Sequence, residues 1–123
     1  MIGSDGLPYD IAPHPRLWGC FPRVLGHYSR DLKLFPLETA VRKMTGLPAK
    51  AFGLKDRGVL KPGAYADITV FDPATVAETA TWEKPIQSAR GNDATIVNGA
   101  VVWRNDRSNG ARPGRVLGRA ATA

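Results

Sequence analysis

The sequence predicts an α+β chain in which the helices precede the strands. Apolar residues recur at helical spacing over Leu37–Met44, whereas β-branched and aromatic residues cluster in Ile68–Phe71. An Asn-Gly pair at residues 98–99 lies between two short apolar runs, which is typical of a tight β-hairpin. We therefore divide the chain into an α-rich part, residues 1–55, and a β-subdomain with a basic C-terminal tail, residues 56–123.

The α-rich part is predicted to begin with a long loop. Residues 1–21 contain three prolines and show little periodicity. Proline is suited to the first turn of a helix and glycine to the position after its end. Helical spacing or such boundary residues predict three helical stretches. The first covers about residues 23–30 and is interrupted by Gly26. The second runs from Pro36 to a stop at Gly46, and the third covers residues 48–52 and is ended by Gly53.

The β-subdomain is predicted to contain one strong strand and one hairpin. Residues 59–71 alternate loosely, and we expect Ile68 and Val70 to share one inward face. Asn-Gly supplies the positive φ values that a type I′ turn requires, which should place Ile96 opposite Val101. The residues between the strand and the hairpin form an excursion, in which Trp82 is the side chain expected to pack inward.

Length and composition place the chain among small globular proteins. A chain of 123 residues is one modest domain or part of a larger one. Hydrophobic residues make up 43%, but no apolar run approaches the roughly 20 residues that span a bilayer, so we expect no membrane partner. The single cysteine, Cys20, cannot form an internal disulfide, and the first residues show no signal-peptide pattern. We therefore expect a cytoplasmic location.

The formal net charge of +6 is concentrated near the C-terminus. A basic arm of this kind can bind nucleic acid. No aromatic residues alternate with the arginines, however, and no nucleic-acid-binding motif is present. The composition therefore favours a solvated arm over a nucleic-acid partner. The arginines in this stretch, against Asp106 alone, are Arg104, Arg107, Arg112, Arg115 and Arg119.

The start of the chain resembles the entrance of an active site. Residues 2–6 read Ile-Gly-Ser-Asp-Gly, the pattern of a strand tip that turns into a loop. Catalytic residues of (β/α)8 enzymes lie at the C-terminal end of a barrel strand. Residues 13–19, Pro-His-Pro-Arg-Leu-Trp-Gly, follow closely. With these two motifs the chain resembles the closing segment of the N-acyl-D-amino-acid deacylases (D-aminoacylases) of the amidohydrolase superfamily.

The resemblance continues to the end of the chain in the same order. Residues 37–41 and 44–49 are similar to the last barrel helices of the family, and residues 58–72 are similar to the hairpin that many amidohydrolases place after the barrel. The implied fold is the C-terminal end of an amidohydrolase (β/α)8 barrel, followed by a small β-sandwich-type subdomain. A whole barrel typically needs about 250 residues, so this chain would hold only part of it.

The resemblance implies roles for two residues. Asp5 would accept the proton of the attacking water and return it to the leaving amine. From the tripeptide alone, a loop aspartate that accepts backbone N–H bonds is the commoner structure, and the resemblance reverses that preference. Arg16 would grip the carboxylate of the substrate, although an arginine that bridges loop carbonyls fits the residues equally well. His14 stands between two prolines, where bracing of the loop is the expected role.

The resemblance implies zinc in the complete enzyme, but this chain is not expected to bind it alone. The family draws its metal ligands from a His-x-His pair after the first strand and from further Cys and His residues of the middle strands. The chain has only two histidines, His14 and His27. Together with Asp5 and Cys20 they follow no recognised ligand spacing. We expect no metal site built from these four residues.

The implied activity is hydrolysis of a non-peptide carbon–nitrogen bond, a linear amide. An N-acyl-D-amino acid would yield a carboxylate and a free D-amino acid, with the chain inactive by itself. Two alternatives stay open. The chain could be a non-catalytic module whose apolar side chains Leu37, Val41 and Met44 bind an N-terminal barrel fragment. It could also be a small basic binding protein that uses the arginine-rich tail, which salt-sensitive retention on nucleic acid would reveal.

Overall fold

The computed structural model describes residues 1–118; Arg119 of the predicted basic tail lies outside this range. The helices come first and the strands follow, as predicted. The helical elements are α1 (Arg16–Arg23), a π-helix (Val24–Asp31), α2 (Leu37–Met44) and α3 (Gly46–Phe52). The strands are β1 (Ile68–Phe71), β2 (Asn92–Val97), β3 (Ala100–Arg104) and β4 (Arg107–Ser108).

The first helix begins earlier than predicted, since α1 occupies the end of the expected loop. Pro15, with φ −51° and ψ −24°, precedes it and already has helical dihedrals. Pro22 lies inside α1, where it lacks the N–H that an α-helical hydrogen bond requires. Wider turns follow at once: Leu32 N–H donates to the His27 carbonyl, five residues earlier, at 2.9 Å. Gly26 lies within these wide turns and does not interrupt the helix.

Helices α2 and α3 confirm two of the predicted helical stretches. Pro36, with φ −61° and ψ 157°, precedes α2, and the Ala40 N–H donates to its carbonyl at 3.1 Å. Gly53 ends α3 with φ 67°, as predicted. Gly46 starts α3 instead of only stopping α2, because the break between the two helices lies at Thr45, with φ −130° and ψ −90°.

The strands form one antiparallel sheet in the order β1-β2-β3-β4. Strands β2 and β3 confirm the predicted hairpin, with Asn98 at φ 46° and Gly99 at φ 81° in the turn. Ile96 lies opposite Val101, as expected. The described residues thus contain a single four-stranded sheet in the region for which the sequence suggested a sandwich-type subdomain.

Strand β1 has the predicted bounds but not the predicted inward face. The pairing of β1 with β2 shifts register between Val70 and Phe71, which is the signature of a β-bulge. Val70, just before this shift, is 44% exposed, whereas Phe71, just after it, packs on the core. Residues 58–67 contain turns and no strand, so the hairpin suggested for residues 58–72 is wrong in its first half.

The core joins the helices to the segment that follows β1. Val24, Leu25, Ala40 and Val76 form its buried cluster, against which Phe71 and several half-buried side chains pack. In the excursion between β1 and β2, Val76 is the inward residue; Trp82 is 73% exposed, so its predicted inward packing is wrong. Among the described helices none combines the length and the apolar content needed to cross a membrane.

Gly26 is expected to tolerate no side chain. A Cβ at this position would lie 2.4 Å from the Val76 carbonyl oxygen, which is backbone and cannot move aside. Gly26→Ala should therefore lower the free energy of unfolding by about 1–3 kcal/mol, the usual cost of overpacking. Gly3→Ala is the matched control, since a Cβ there meets nothing within 4 Å. Urea unfolding of both variants measures the difference, and equal midpoints would contradict the close approach.

Candidate active site

The structure brings Asp5 and Arg16 together. Arg16 Nη2 donates to Asp5 Oδ2 at 2.7 Å, and Arg16 Nε donates to the Asp5 main-chain carbonyl at 3.1 Å. Asp5 lies in the loop at the start of the chain, and Arg16 is the first residue of α1. One guanidinium therefore contacts both the side chain and the backbone of the aspartate, a fork geometry that arginine alone provides.

Asp5 presents its carboxylate to solvent. The side chain is 85% exposed, against 42% for Arg16. Its backbone has φ 50°, in the left-handed region, which aspartate enters more readily than most residues with a Cβ. The loop is closed by the Gly6 N–H, which donates to Ser4 Oγ at 3.3 Å. An exposed carboxylate next to a guanidinium is suited to meet a ligand that carries its own polar groups.

His14 supports the start of α1. Its Nδ1 accepts the Arg16 backbone N–H at 3.0 Å, which satisfies one of the amides that a helix N-terminus leaves free. The imidazole ring also contacts the edge of Trp82, with ring centroids 4.5 Å apart. These contacts agree with the expected bracing role of His14.

The four residues considered as metal ligands are not assembled. Within residues 1–118 no group of three or more His, Cys, Asp or Glu side chains could hold a metal ion. Burial raises the pKa of the Cys20 thiol, and nearby Arg16 offsets this only in part, so the thiolate that zinc requires is disfavoured. The His27 ring packs against Tyr28, 5.1 Å between centroids. In the described part of the chain, these four side chains therefore do not form the ligand set of a catalytic zinc.

A mostly apolar cleft of about 700 Å³ lies beside Arg16. The Arg23–Glu78 ion pair, 2.5 Å between Nη1 and Oε1, lies along this cleft, and the guanidinium of Arg23 also lies over the Tyr28 ring, 5.4 Å from its centroid. Sequence reasoning missed this pair because 55 positions separate its members, and no local pattern links them. Other residues that line the cleft include Cys20, Phe35, Ala80 and Trp82.

Comparison with known proteins gives consistent matches. The model of the Amidohydrolase family matches residues 1–103. The D-aminoacylase of Alcaligenes xylosoxydans xylosoxydans is 64% identical over 98% of this chain, and the N-acyl-D-glutamate deacylase of the same organism is 53% identical over 99%. The chain spans about a quarter of the length of these relatives, 25% in both cases.

Two solved structures of deacylases are also similar to this chain. A crystal structure of D-aminoacylase superposes with a TM-score of 0.95 at 66% identity, covering 97% of this chain and 25% of the other. The N-acyl-D-glutamate deacylase of Bordetella bronchiseptica, solved with zinc and a phosphonate mimic of the tetrahedral intermediate, superposes with a TM-score of 0.90 at 57% identity. That match covers 98% of this chain and 25% of the deacylase.

Proposed function

The chain belongs to the amidohydrolase family, and on that premise we propose that it forms the C-terminal part of a zinc-dependent N-acyl-D-amino-acid deacylase. The complete enzyme would hydrolyse the amide of an N-acyl-D-amino acid to a carboxylate and a free D-amino acid. The observation that carries this proposal is the contact between Asp5 and Arg16, at 2.7 Å. This contact places a carboxylate that can accept a proton beside a cation that can bind the carboxylate of a substrate.

Asp5 is assigned the proton transfer. An exposed carboxylate can take a proton from the attacking water and later deliver it to the departing amine nitrogen, which cannot leave as an anion. Arg16 is assigned the substrate carboxylate. Its Nη1 makes no hydrogen bond among residues 1–118, so this side of the guanidinium can still receive an anion.

The proposed architecture places residues 1–55 at the end of a (β/α)8 barrel. The strand tip before Asp5, followed by α1, would then be the last strand-to-helix connection, where catalytic residues of such barrels lie. Residues 56–123 would form the adjoining β-subdomain, in which a second sheet supplied by other parts of the enzyme would complete a sandwich. The free edge of β1 and its exposed Val70 are consistent with such a neighbour.

Zinc would be held by residues outside this chain. The described residues offer no ligand group, whereas the Bordetella deacylase was solved with zinc. When bound, zinc would supply the Lewis acidity that activates a water molecule. The chain alone is accordingly proposed to be inactive and to bind no catalytic zinc.

One alternative has a specific observation in its favour, namely a non-catalytic module that binds a partner with the rest of the barrel. No large side chain within residues 1–118 is fully buried. Several large apolar side chains are more than half exposed, which indicates an incomplete core. They include Leu7, Tyr9, Ile11, Leu34 and Leu60, whereas the side chains suggested for this surface from the sequence pack on the core instead, namely Leu37, Val41 and Met44.

Replacement of the matched quarter of the Alcaligenes D-aminoacylase by this chain tests the proposal. The chimera, assayed with N-acetyl-D-amino acids in the presence of zinc, should be active, and the chain alone should show neither turnover nor stoichiometric zinc. A folded chimera without deacylase activity would contradict the catalytic assignment and favour the non-catalytic module. Turnover by the chain alone would contradict the assignment of the zinc ligands to the rest of the enzyme.

A further inference from the structure

We propose that Arg16 is also a positioning residue for Asp5, so that it affects the proton transfer and not only the binding of substrate. This inference rests on the proposed function of Asp5. Nε and Nη2 are neighbouring donors on one edge of the guanidinium. They contact the main-chain carbonyl and the carboxylate of Asp5, at 3.1 and 2.7 Å. Two donors fixed in one plane define both the place and the orientation of the carboxylate.

Asp5 depends on such support because few other contacts hold its carboxylate. Left-handed dihedrals are less favourable than right-handed ones for most residues with a Cβ, although aspartate enters them more readily than most. At Asp5 φ is 50°, and the side chain is 85% exposed. Among residues 1–118 Arg16 is the sole donor to the carboxylate. Without Arg16, the carboxylate would be free to leave the position required for proton transfer.

Arg16 is itself held in place at the start of α1. Its backbone N–H donates to His14 Nδ1 at 3.0 Å, and α1 continues directly from it. The loop with Asp5 approaches the same turn closely: a Cβ on Gly6 would lie 2.6 Å from Leu17 Cδ1. The guanidinium thus projects from a fixed helix onto a loop that passes against the helix, which is the arrangement that positions a functional group reliably.

The two roles of Arg16 use different edges of the guanidinium. Asp5 takes the Nε–Nη2 edge, whereas Nη1 makes no hydrogen bond within the described part of the chain. A substrate carboxylate can therefore bind the second edge while Asp5 stays on the first. In this arrangement the substrate anion and the proton acceptor share one cation, so that recognition and proton transfer depend on the same residue.

A substrate without a carboxylate separates the two roles. The proposed probe is the N-acetyl amine that corresponds to a D-amino acid stripped of its carboxylate, assayed in the chimera beside the ordinary N-acetyl-D-amino acid. If Arg16 positions Asp5, Arg16→Ala should lower kcat/KM for the amine by roughly 10–100-fold, the scale of loss from a misplaced catalytic group. Arg16→Lys should recover only part of this loss, since an ammonium lacks the planar fork.

Two control variants test whether Arg16 acts through Asp5. In an Asp5→Asn background, Arg16→Ala should cause little further loss with the amine, because coupled residues are not additive. Arg112→Ala, an exposed arginine of the tail, should leave both substrates unaffected. A normal kcat/KM for the amine in Arg16→Ala would overturn the positioning role while leaving the proposed function intact. An inactive wild-type chimera would instead overturn the proposed function.

The contact itself can be measured in the 123-residue chain without any assay of activity. The Nε–H of Arg16 should give a ¹H–¹⁵N resonance that exchanges slowly with water and moves in Asp5→Ala but not in Asp10→Ala. Asp10 lies in the same loop, and none of the hydrogen bonds found within residues 1–118 involves its carboxylate. A resonance that exchanges as fast as that of Arg112 would overturn the proposed contact.

Discussion

Asp5→Asn in an enzyme that contains this chain is expected to lower kcat by about 10²–10⁴-fold, the usual contribution of general acid–base catalysis. Asparagine keeps nearly the same shape but cannot accept the proton of water. Its side-chain oxygen can still receive the Arg16 Nη2 hydrogen bond, which measures 2.7 Å to the native carboxylate. The loop should therefore stay in place, and KM should change little while kcat falls.

The measurement is steady-state kinetics on the chimera with N-acetyl-D-amino acids at saturating zinc. Asp10→Asn is the matched control, because it makes the same chemical change in the same exposed loop. It should retain the kcat of the parent. If Asp5→Asn also retained it, Asp5 would not be the proton acceptor, and another group of the complete enzyme would have to serve.

The sequence predicted best those elements whose shape depends on neighbouring residues. The turn at Asn98 and Gly99 has the positive φ values that its two residues favour, and the pairing of Ile96 with Val101 follows from that turn. The strand at Ile68–Phe71 was likewise predicted with its exact bounds. In each case the decisive information lies within a few positions of the chain.

The errors arose where distant contacts or bulges decide the outcome. Prolines suggested a loop over residues 1–21, yet Pro15 caps the start of α1, and Pro22 lies inside this helix, just before the wide turns. Phe71 and not Val70 packs on the core, and no local pattern in the sequence indicates the shift of register between these two residues. Trp82 lies outside the core, against His14, a contact between residues far apart in the chain.

The candidate site was predicted only as separate residues. The motifs identified Asp5 and Arg16, but not that they contact each other across 11 positions. This contact depends on the close approach of Gly6 to Leu17, which is a property of the folded chain. The resemblance to the deacylases suggested the chemical roles of the two residues, and the structure gives the distances between them.

A second polar cluster lies between the helices and the hairpin. The side chain of Arg57 is 10% exposed and forms an ion pair with Asp67. Arg57 Nη2 also donates to Asn98 Oδ1 at 2.8 Å, and its guanidinium stacks on Tyr65, 4.1 Å from the ring centroid. Asp67 in turn accepts the Asn98 backbone N–H at 2.8 Å. The cluster therefore fixes the hairpin turn to the loop after α3.

Asp67→Ala is accordingly expected to lower the free energy of unfolding by about 3 kcal/mol. The loss has two parts: the Asn98 N–H loses its acceptor, and the guanidinium of Arg57 stays buried without a counter-charge. Urea unfolding of the full chain at neutral pH measures it. Lys61→Ala is the control, since its ion pair with Asp56 is long, at 3.3 Å, and more exposed, with the two side chains 54% and 36% exposed. That variant should lose less than about 1 kcal/mol.

The stabilisation of the fold by Asp67 is expected to depend on pH. Burial alone would raise the pKa of Asp67, but the hydrogen bonds from the Asn98 backbone and the Arg57 guanidinium outweigh it and hold the pKa below its ordinary value. A carboxyl group whose pKa is lower in the folded state stabilises the fold above its unfolded pKa and ceases to do so as the pH falls through the folded value. The difference in unfolding free energy between the parent and Asp67→Asn should therefore be largest near neutral pH and shrink in acid. A difference that stays constant down to strongly acidic pH would show that the charge of Asp67 does not stabilise this cluster.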